Sequence, residues 1–209
     1  MIQPQKIKHK TLTKYFRPLS GVWFRGIEMQ YGSTPLQYIH TSIRSSRFSH
    51  ADQQHPAFPL IYLAENHDIA LKEVGALFNP LGTSTVIPNP HAAWTILNVT
   101  ISLSAVLDLT DRGVQSYLQT NFQELTGDWR GYYLRAIPMS SVPDIWQPAP
   151  TQVLGEVLYK IPKLMGFITV SAKVPDRKNL IIFPDKIKRP ADGKIEFTEP
   201  SSGKTPQIS

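Results

Sequence analysis

Runs of apolar residues with the length of a strand are the most regular feature of the chain. The continuous run PLIYLAE, at residues 59–65, predicts a strand in the interior of a sheet. The run AWTILNVTISLSAVLDL, at residues 93–109, alternates apolar with polar residues and predicts a long strand. We expect its core positions to be Ile96, Val99, Ile101 and Leu103. Shorter runs predict strands at residues 21–27, 166–174 and 179–185.

Apolar residues spaced three or four positions apart predict helices between these strands. The first, DIALKEVGALF at residues 68–78, follows directly on the buried strand, and Asn66 or Asp68 can cap it. Further helices are predicted at residues 111–126 and 151–162. The buried side of the last helix is predicted to contain Val153, Leu154, Val157, Leu158 and Ile161. Together these elements predict an α+β domain in which strands supply most of the core.

Composition divides the chain of 209 residues into a middle and two ends. Residues 1–19 are interpreted as a basic N-terminal arm. Residues 189–209 are rich in Pro, Ser, Gly and Lys, which predicts a flexible C-terminal tail. One domain is expected between them, at residues 20–188.

The formal net charge of +6 comes largely from lysines and arginines near the two ends. Basic ends without a groove-reading motif are more often solvated tails, so no direct contact with nucleic acid is expected. A non-enzymatic module that binds RNA or protein through these ends is an open alternative. The chain has no cysteine, which excludes thiolate catalysis and cysteine-based metal sites. It also lacks an apolar stretch of about 20 residues, so we expect a cytoplasmic protein without a membrane span.

Familiar catalytic signatures do not occur in the sequence. Those missing include the GxxxxGK[ST] phosphate loop, the GxGxxG fingerprint, the GxSxG elbow and the HExxH zinc motif. The six histidines are scattered, and the pair His50 and His55 in a predicted loop is better explained by chance than by metal binding. We therefore expect no metal site.

Polar residues near the predicted strand ends nevertheless follow one another in a recognisable order. The segments are WFR at residues 23–25, RF at 47–48, LIYLAENHDIALKE at 60–73 and GFITVSAKVPDRKNLIIFPD at 166–185. This order resembles the RES domain, a family named for its Arg, Glu and Ser. In that family a first Arg lies near the opening strand, and a GRW or GRF element precedes a YxA strand. A Glu then follows about one helix turn later, and a Ser closes a late strand before an N-L-x-x-x-P segment.

The resemblance covers about residues 20–187, and two positions depart from the family pattern. Ser46 stands where the family usually has Gly, and Ser49 where it usually has Asn. The resemblance implies an ADP-ribosyltransferase-like split β-sheet core with flanking helices, and it makes residues 20–188 a RES-like catalytic domain. It also implies a toxin of a bacterial toxin–antitoxin pair that degrades NAD by breaking the nicotinamide–ribose bond, by hydrolysis or phosphorolysis.

The alternative activity within the same family is transfer of ADP-ribose to a host protein. In either case NAD is the substrate and no separate cofactor is implied. The implied protein partner is an antitoxin with a helix-turn-helix part of the Xre type. A homodimer is a further expectation.

Residue roles follow from the matched motifs. Glu73 would stabilise the oxocarbenium-like charge that develops on the ribose. Arg25 and Arg47 would bind the phosphates of the dinucleotide. Tyr62 would stack on nicotinamide or hydrogen-bond the ribose, and Ser171 would orient either group. Without the resemblance, simpler readings apply: Glu73 as an exposed residue near a helix N-terminus, Tyr62 as a core tyrosine, and Ser171 as a small strand residue.

Overall fold

A computed structural model describes residues 9–38, 41, 43–51, 57–79, 85–135, 148–197 and 207–208. The strands are β1 (Arg17–Glu28), β2 (Ile61–Ala64), β3 (Leu77–Phe78), β4 (Ile87–Pro88), β5 (Trp94–Asp108), β6 (Gly166–Val170), β7 (Lys178–Ile182), β8 (Gly193–Phe197) and β9 (Gln207–Ile208). The helices are α1 (His9–Leu12), α2 (His67–Glu73), α3 (Arg112–Leu118), α4 (Phe122–Thr126), α5 (Arg130–Arg135) and α6 (Pro150–Tyr159). Within the described ranges, none of these helices has the length and apolarity needed to cross a membrane.

The main sheet divides at the long strand β5. Strand β1 runs antiparallel along one edge of β5, from the pair Arg17↔Val106 to the pair Glu28↔Trp94. Strand β8 pairs with residues 99–103 of β5, and β6 runs parallel to its residues 106–108, both on the remaining edge. Because β1 also pairs with β2, the strands β1, β2, β7, β6 and β5 form a closed ring. The short strands β3 and β4 form a separate pair.

The two faces of the strands belong to different hydrophobic clusters. One, which we call the strand cluster, is built almost entirely from strands and includes Trp23, Ile27, Ile61, Leu63, Leu97, Val99, Ile101, Leu103, Leu180, Ile182, Ile195 and Phe197. The other, the helix cluster, packs helices α3, α4 and α6 onto the sheet and includes Phe48, Leu107, Val114, Leu118, Leu125, Leu154, Leu158, Phe167, Ile181 and Phe183. Strand alternation therefore puts Tyr62 and Ile181 on the helix-cluster side and Leu63 and Leu180 on the strand-cluster side.

The predicted fold class, α+β with a strand-dominated core, is confirmed. Each of the predicted strands has a counterpart, although β1 is longer than expected and begins at Arg17. In β5 the core positions include Leu97, which is buried, instead of the predicted Ile96, which is half-buried. Val99, Ile101 and Leu103 share the alternation of Leu97, and Ile96 points to the other face. On α6, Leu154, Val157 and Leu158 are buried and Val153 is half-buried, and Ile161 is buried just after the helix ends.

The helix predicted at residues 111–126 is two helices, α3 and α4. Gln119 adopts a left-handed backbone conformation with φ of 55°, which ends α3. Asn121 then caps α4 by accepting a hydrogen bond from the backbone N–H of Glu124. Thr120 and Asn121 have low helix propensity, and Leu118 and Leu125 on either side of this turn pack into the helix cluster.

Parts of the predicted N-terminal arm and C-terminal tail are folded. Helix α1 lies within the predicted arm, and its Leu12 is buried in the helix cluster. Strand β8 lies within the predicted tail, where Ile195 and Phe197 enter the strand cluster. The segment GKIEF is too short for its alternation to stand out among Pro, Ser and Lys residues. Residues 1–8 and 198–206, and also His55, lie outside the described residues.

Candidate functional site

Glu73 is the last residue of helix α2. The N-cap of the helix is Asn66, whose side chain accepts a hydrogen bond from the backbone N–H of Ile69 at 3.0 Å. It ends in a Schellman motif, because Gly75 has a φ of 78° and the backbone N–H of Ala76 donates to the carbonyl oxygen of Leu71. The predicted helix over residues 68–78 therefore stops early, and Glu73 lies at its C-terminal end.

A carboxylate at this end of a helix opposes the helix dipole. The unpaired carbonyl groups of the last turn carry partial negative charge, so an acidic side chain there is unfavourable by a few tenths to about 1 kcal/mol. The simple reading of Glu73 as a residue favoured by a helix N-terminus does not fit this position. Other groups must compensate the charge, and the structure supplies them.

Two donors from distant strands converge on one oxygen of Glu73. The hydroxyl of Ser171, just after β6, donates to Oε1 at 2.5 Å. The side-chain amide of Asn179, in β7, donates to the same oxygen at 2.7 Å. The second oxygen, Oε2, has no hydrogen-bond partner among the residues that the structure describes. The carboxylate is thus held from one side, with its other oxygen available.

Ser171 is itself fixed by the turn that follows β6. Its Oγ accepts hydrogen bonds from the backbone N–H groups of Lys173 at 3.2 Å and Val174 at 3.0 Å. With its proton donated to Glu73, the hydroxyl makes three hydrogen bonds, which is close to its capacity. In this structure Ser171 therefore orients the carboxylate, and its predicted contact with nicotinamide or ribose stays a prediction.

Arg47 brings a positive charge to the same region. The charges of Glu73, Tyr62 and Asp128 act on its guanidinium and oppose the lowering of its pKa by burial, which is the larger effect. Its Nη1 donates to the carbonyl oxygen of Leu125 at 2.9 Å, at the end of α4. A guanidinium has five N–H groups, so within the described part of the chain this contact leaves most of its donors for a ligand.

Tyr62 lies in β2 on the face that carries the helix cluster. Its hydroxyl donates to Oγ of Ser46 at 3.0 Å. Burial raises the pKa of Tyr62 to about 12, although its hydrogen bonds with Ser46 and with the Phe48 backbone and the charge of Arg47 counteract this rise. The hydroxyl is therefore protonated at neutral pH and available only as a neutral group.

Arg25 lies apart from these contacts, on the opposite side of β1. A Cβ atom at the neighbouring Gly26 would lie 2.9 Å from the carbonyl oxygen of Ala70, so helix α2 covers that side of β1. Alternation directs Arg25 to the strand cluster, where its Nη2 donates to the Gln37 carbonyl oxygen at 3.1 Å. Its Nη1 is buried and has no hydrogen-bond partner among the described residues. Burial lowers the pKa of Arg25 to about 10, so it is still a cation, and its role in phosphate binding stays a prediction.

Some residues that contact the predicted site residues were not predicted from the sequence. Asn179 lies in the N-L-x-x-x-P segment of the family pattern, so the motif could have indicated it. Only the fold shows that it contacts Glu73. Ser46, noted as a departure from the family pattern, contacts Tyr62. Gln152, on α6, donates to the Ser46 carbonyl oxygen at 2.9 Å, and nothing in its helical pattern indicates this role.

A cavity of about 580 Å³ elsewhere on the molecule contains none of these residues. It is lined by residues that include Ser104, Pro162, Lys163, Asp185 and Lys186. Pro162 and Lys163 lie before β6, and Asp185 and Lys186 lie after β7, whereas Ser171 and Asn179 lie at the other ends of the same strands. The convergence of hydrogen bonds on Glu73 identifies the candidate site better than the size of a cavity.

Similarity to known proteins identifies the family of this chain. A model of the RES domain family matches residues 23–200, so the chain belongs to the RES domain family. Among solved structures, a chain of the M. tuberculosis MbcT–MbcA toxin–antitoxin complex has a similar fold, with a TM-score of 0.60 and 17% sequence identity. The alignment covers 96% of this chain and 91% of that chain. A search of curated proteins gives no match.

Proposed function

We propose that this protein is the toxin of a toxin–antitoxin pair and that it breaks the nicotinamide–ribose bond of NAD at Glu73. The observation that carries the proposal is the double hydrogen bond from Ser171 and Asn179 to a single oxygen of Glu73. It fixes a carboxylate at a helix end where the helix dipole opposes it. An arrangement that local energetics disfavours and distant residues maintain is typical of a functional site.

The chemistry requires a fixed negative charge beside the ribose. When the bond breaks, nicotinamide leaves with the electron pair and positive charge develops on the anomeric carbon and ring oxygen. The carboxylate of Glu73 stabilises this charge, and Oε2 accepts a hydrogen bond from a ribose hydroxyl or from the attacking group. The acceptor oxygen then forms a bond to the anomeric carbon and releases its proton. Preorganisation matters because the donors to Oε1 need not reorient during the reaction.

Arg47 and Tyr62 complete the proposed substrate contacts. Arg47 offers its remaining N–H groups to a phosphate oxygen, for which a guanidinium is geometrically suited. Tyr62 remains protonated, so it interacts with the substrate through its ring or through a neutral hydroxyl. The role of Arg25 at the phosphates stays a prediction, because this buried cation lies on the side of β1 opposite to α2; its Nη1 has no hydrogen-bond partner among the described residues. NAD is the substrate in this scheme, and the scheme uses no cofactor.

The partner in the proposal is an antitoxin with a helix-turn-helix part of the Xre type. Support comes from membership of the RES domain family and from the fold shared with a chain of a toxin–antitoxin complex. A protein that consumes free NAD acts where NAD is abundant, so we place it in the cytoplasm. A homodimer stays a prediction.

The test is to incubate the purified protein with NAD and identify the products by chromatography. Release of nicotinamide with ADP-ribose indicates hydrolysis, and release with a phosphorylated ADP-ribose in phosphate buffer indicates phosphorolysis. A label that moves from NAD to added protein in stoichiometric amount would instead indicate ADP-ribosyl transfer. Folded protein that leaves NAD intact under all three conditions would overturn the proposal.

Glu73→Gln removes the proposed catalytic carboxylate and should lower NAD turnover. The matched control for this variant is Glu156→Gln. Glu156 is an exposed glutamate on helix α6 that pairs with Lys160, and among the described residues it has no side-chain hydrogen bond or ion pair with a residue of the site. The same loss of one carboxylate there should leave NAD turnover unchanged.

Expression of the wild-type protein in bacteria should lower cellular NAD and arrest growth. Co-expression of the antitoxin should restore the NAD level and growth.

A further inference from the structure

The turn that carries Arg47 is fixed by helix α6. The backbone N–H of Ser46 donates to the carbonyl oxygen of Ser49 at 2.7 Å, which closes the turn over residues 46–49. The Ser49 hydroxyl accepts from the backbone N–H of Phe58 at 3.1 Å, and the Phe48 ring packs edge to face on Phe167 at 5.0 Å. These contacts determine where the turn lies but leave the carbonyl group of Ser46 to another partner.

Gln152 is that partner, and it is buried almost completely, with 1% of its surface exposed. Its Nε2 donates to the Ser46 carbonyl oxygen at 2.9 Å. Its Oε1 accepts from the backbone N–H of Ala149 at 2.9 Å, which satisfies a free donor at the start of α6. The two ends of one amide therefore connect the helix start to the turn.

Helix α6 also approaches the turn through its backbone. A Cβ atom at Gly155 would lie 1.9 Å from the Phe48 carbonyl oxygen, so only glycine permits this approach. Gln152 and Gly155 are three positions apart and therefore lie on the same face of the helix. One face of α6 therefore contacts the turn at two positions, through the side chain of Gln152 and through the backbone at Gly155.

We propose that Gln152 is a positioning residue that sets the place of Arg47 and of the Tyr62 hydroxyl in the site. The Ser46 residue it holds accepts the hydrogen bond from Tyr62 through Oγ and precedes Arg47 in the chain. A displacement of this turn moves both groups relative to Glu73. The inference rests on the proposed function, because it concerns the same NAD site.

The amide of Gln152 permits a substitution that separates the contact with Ala149 from the contact with Ser46. Gln152→Glu keeps an oxygen to accept from Ala149, and it replaces the donor to Ser46 with a second oxygen. At neutral pH this oxygen repels the Ser46 carbonyl. A protonated carboxyl group has one O–H, so at acidic pH it can donate to Ser46 and restore the contact. Burial raises the pKa of such a group and brings the restoration into an accessible pH range.

The experiment measures steady-state NAD turnover of Gln152→Glu at pH 8 and pH 5.5. We expect the ratio of its KM to that of the wild type to be on the order of tenfold or more at pH 8, since small misplacement of a binding group has large effects. The ratio should fall towards one at pH 5.5. Gln115→Glu is the matched control: Gln115 lies on α3, and its Nε2 donates to the Leu109 carbonyl oxygen at 2.8 Å, a backbone contact that does not involve the turn over residues 46–49.

A second readout is independent of catalysis. The side-chain N–H signal of Arg47 in an NMR spectrum, assigned by its loss in Arg47→Lys, should shift in Gln152→Glu and not in Gln115→Glu. If the wild type leaves NAD intact but the signal shifts, the proposed function fails and the positioning role stands. Should Gln152→Glu not fold, Gln152→Met removes the same donor without a charge and should shift the signal too. An unchanged KM and an unchanged Arg47 signal in the folded variant would overturn the inference.

Discussion

Replacing Ile195 with alanine tests whether strand β8 is part of the folded domain. Ile195 is fully buried in the strand cluster and pairs with Ile101 of β5. Truncation of a large aliphatic residue in a core costs about 2–5 kcal/mol, through lost burial and the cavity that remains. Domains are stable by about 5–15 kcal/mol in total, so this is a large part of the free energy of unfolding. A flexible tail would give almost no change.

Thermal unfolding followed by circular dichroism measures the effect. For a chain of this size, 1 kcal/mol lowers Tm by about 2–4 °C, so Ile195→Ala should lower Tm by roughly 4–20 °C. The control is Lys194→Ala, the exposed neighbour on the same strand, which should change stability by no more than about 0.5 kcal/mol. Equal Tm values for the two variants would refute the placement of β8 in the core.

Three further predictions concern packing, the site and pH. Gly155→Ala should lower stability by about 1–3 kcal/mol or more in urea unfolding, because the new methyl group meets the Phe48 carbonyl oxygen at 1.9 Å. Asn179→Leu should lower NAD turnover by on the order of tenfold or more in steady-state assays with folded protein, since it removes a donor to Glu73. Burial lowers the pKa of Lys186 from 10.5 to about 8, so the unfolded chain binds more protons between these pH values. Wild-type stability should therefore rise relative to Lys186→Met from pH 8 to 10.5, and parallel Tm curves would contradict this.

A strand could be predicted from the sequence where apolar and polar residues alternate over many consecutive positions. Alternation over fifteen residues makes β5 unmistakable, and only its exact core positions differed, with Leu97 buried in place of Ile96. Five residues of β8 give too little alternation, and its burial depends on pairing with a strand about ninety positions earlier in the sequence. The end of α2 was readable in principle, because Gly75 follows the last periodic residues in the way a helix-ending glycine does.

Some residues of the candidate site could be predicted from the sequence, but the contacts between them could not. Motif order singles out Glu73 and Ser171, which are 98 positions apart, and only the closed ring of strands brings them to 2.5 Å. Sequence order gave no sign that Arg25 projects to the opposite side of β1 from α2. The hydrogen bond of Gln152 is also invisible in sequence, since a buried glutamine in an apolar helix face has no characteristic spacing.

Steady-state NAD turnover by Glu73→Gln tests the central claim most directly. The substitution keeps the size of the side chain and removes the charge that would stabilise the oxocarbenium-like state. Loss of one preorganised electrostatic contact costs about 2.7–4 kcal/mol, which is on the order of a hundredfold to a thousandfold in kcat. We predict that loss, with Tm close to that of the wild type. A folded Glu73→Gln protein that retains near-wild-type turnover would show that the reaction centre lies elsewhere.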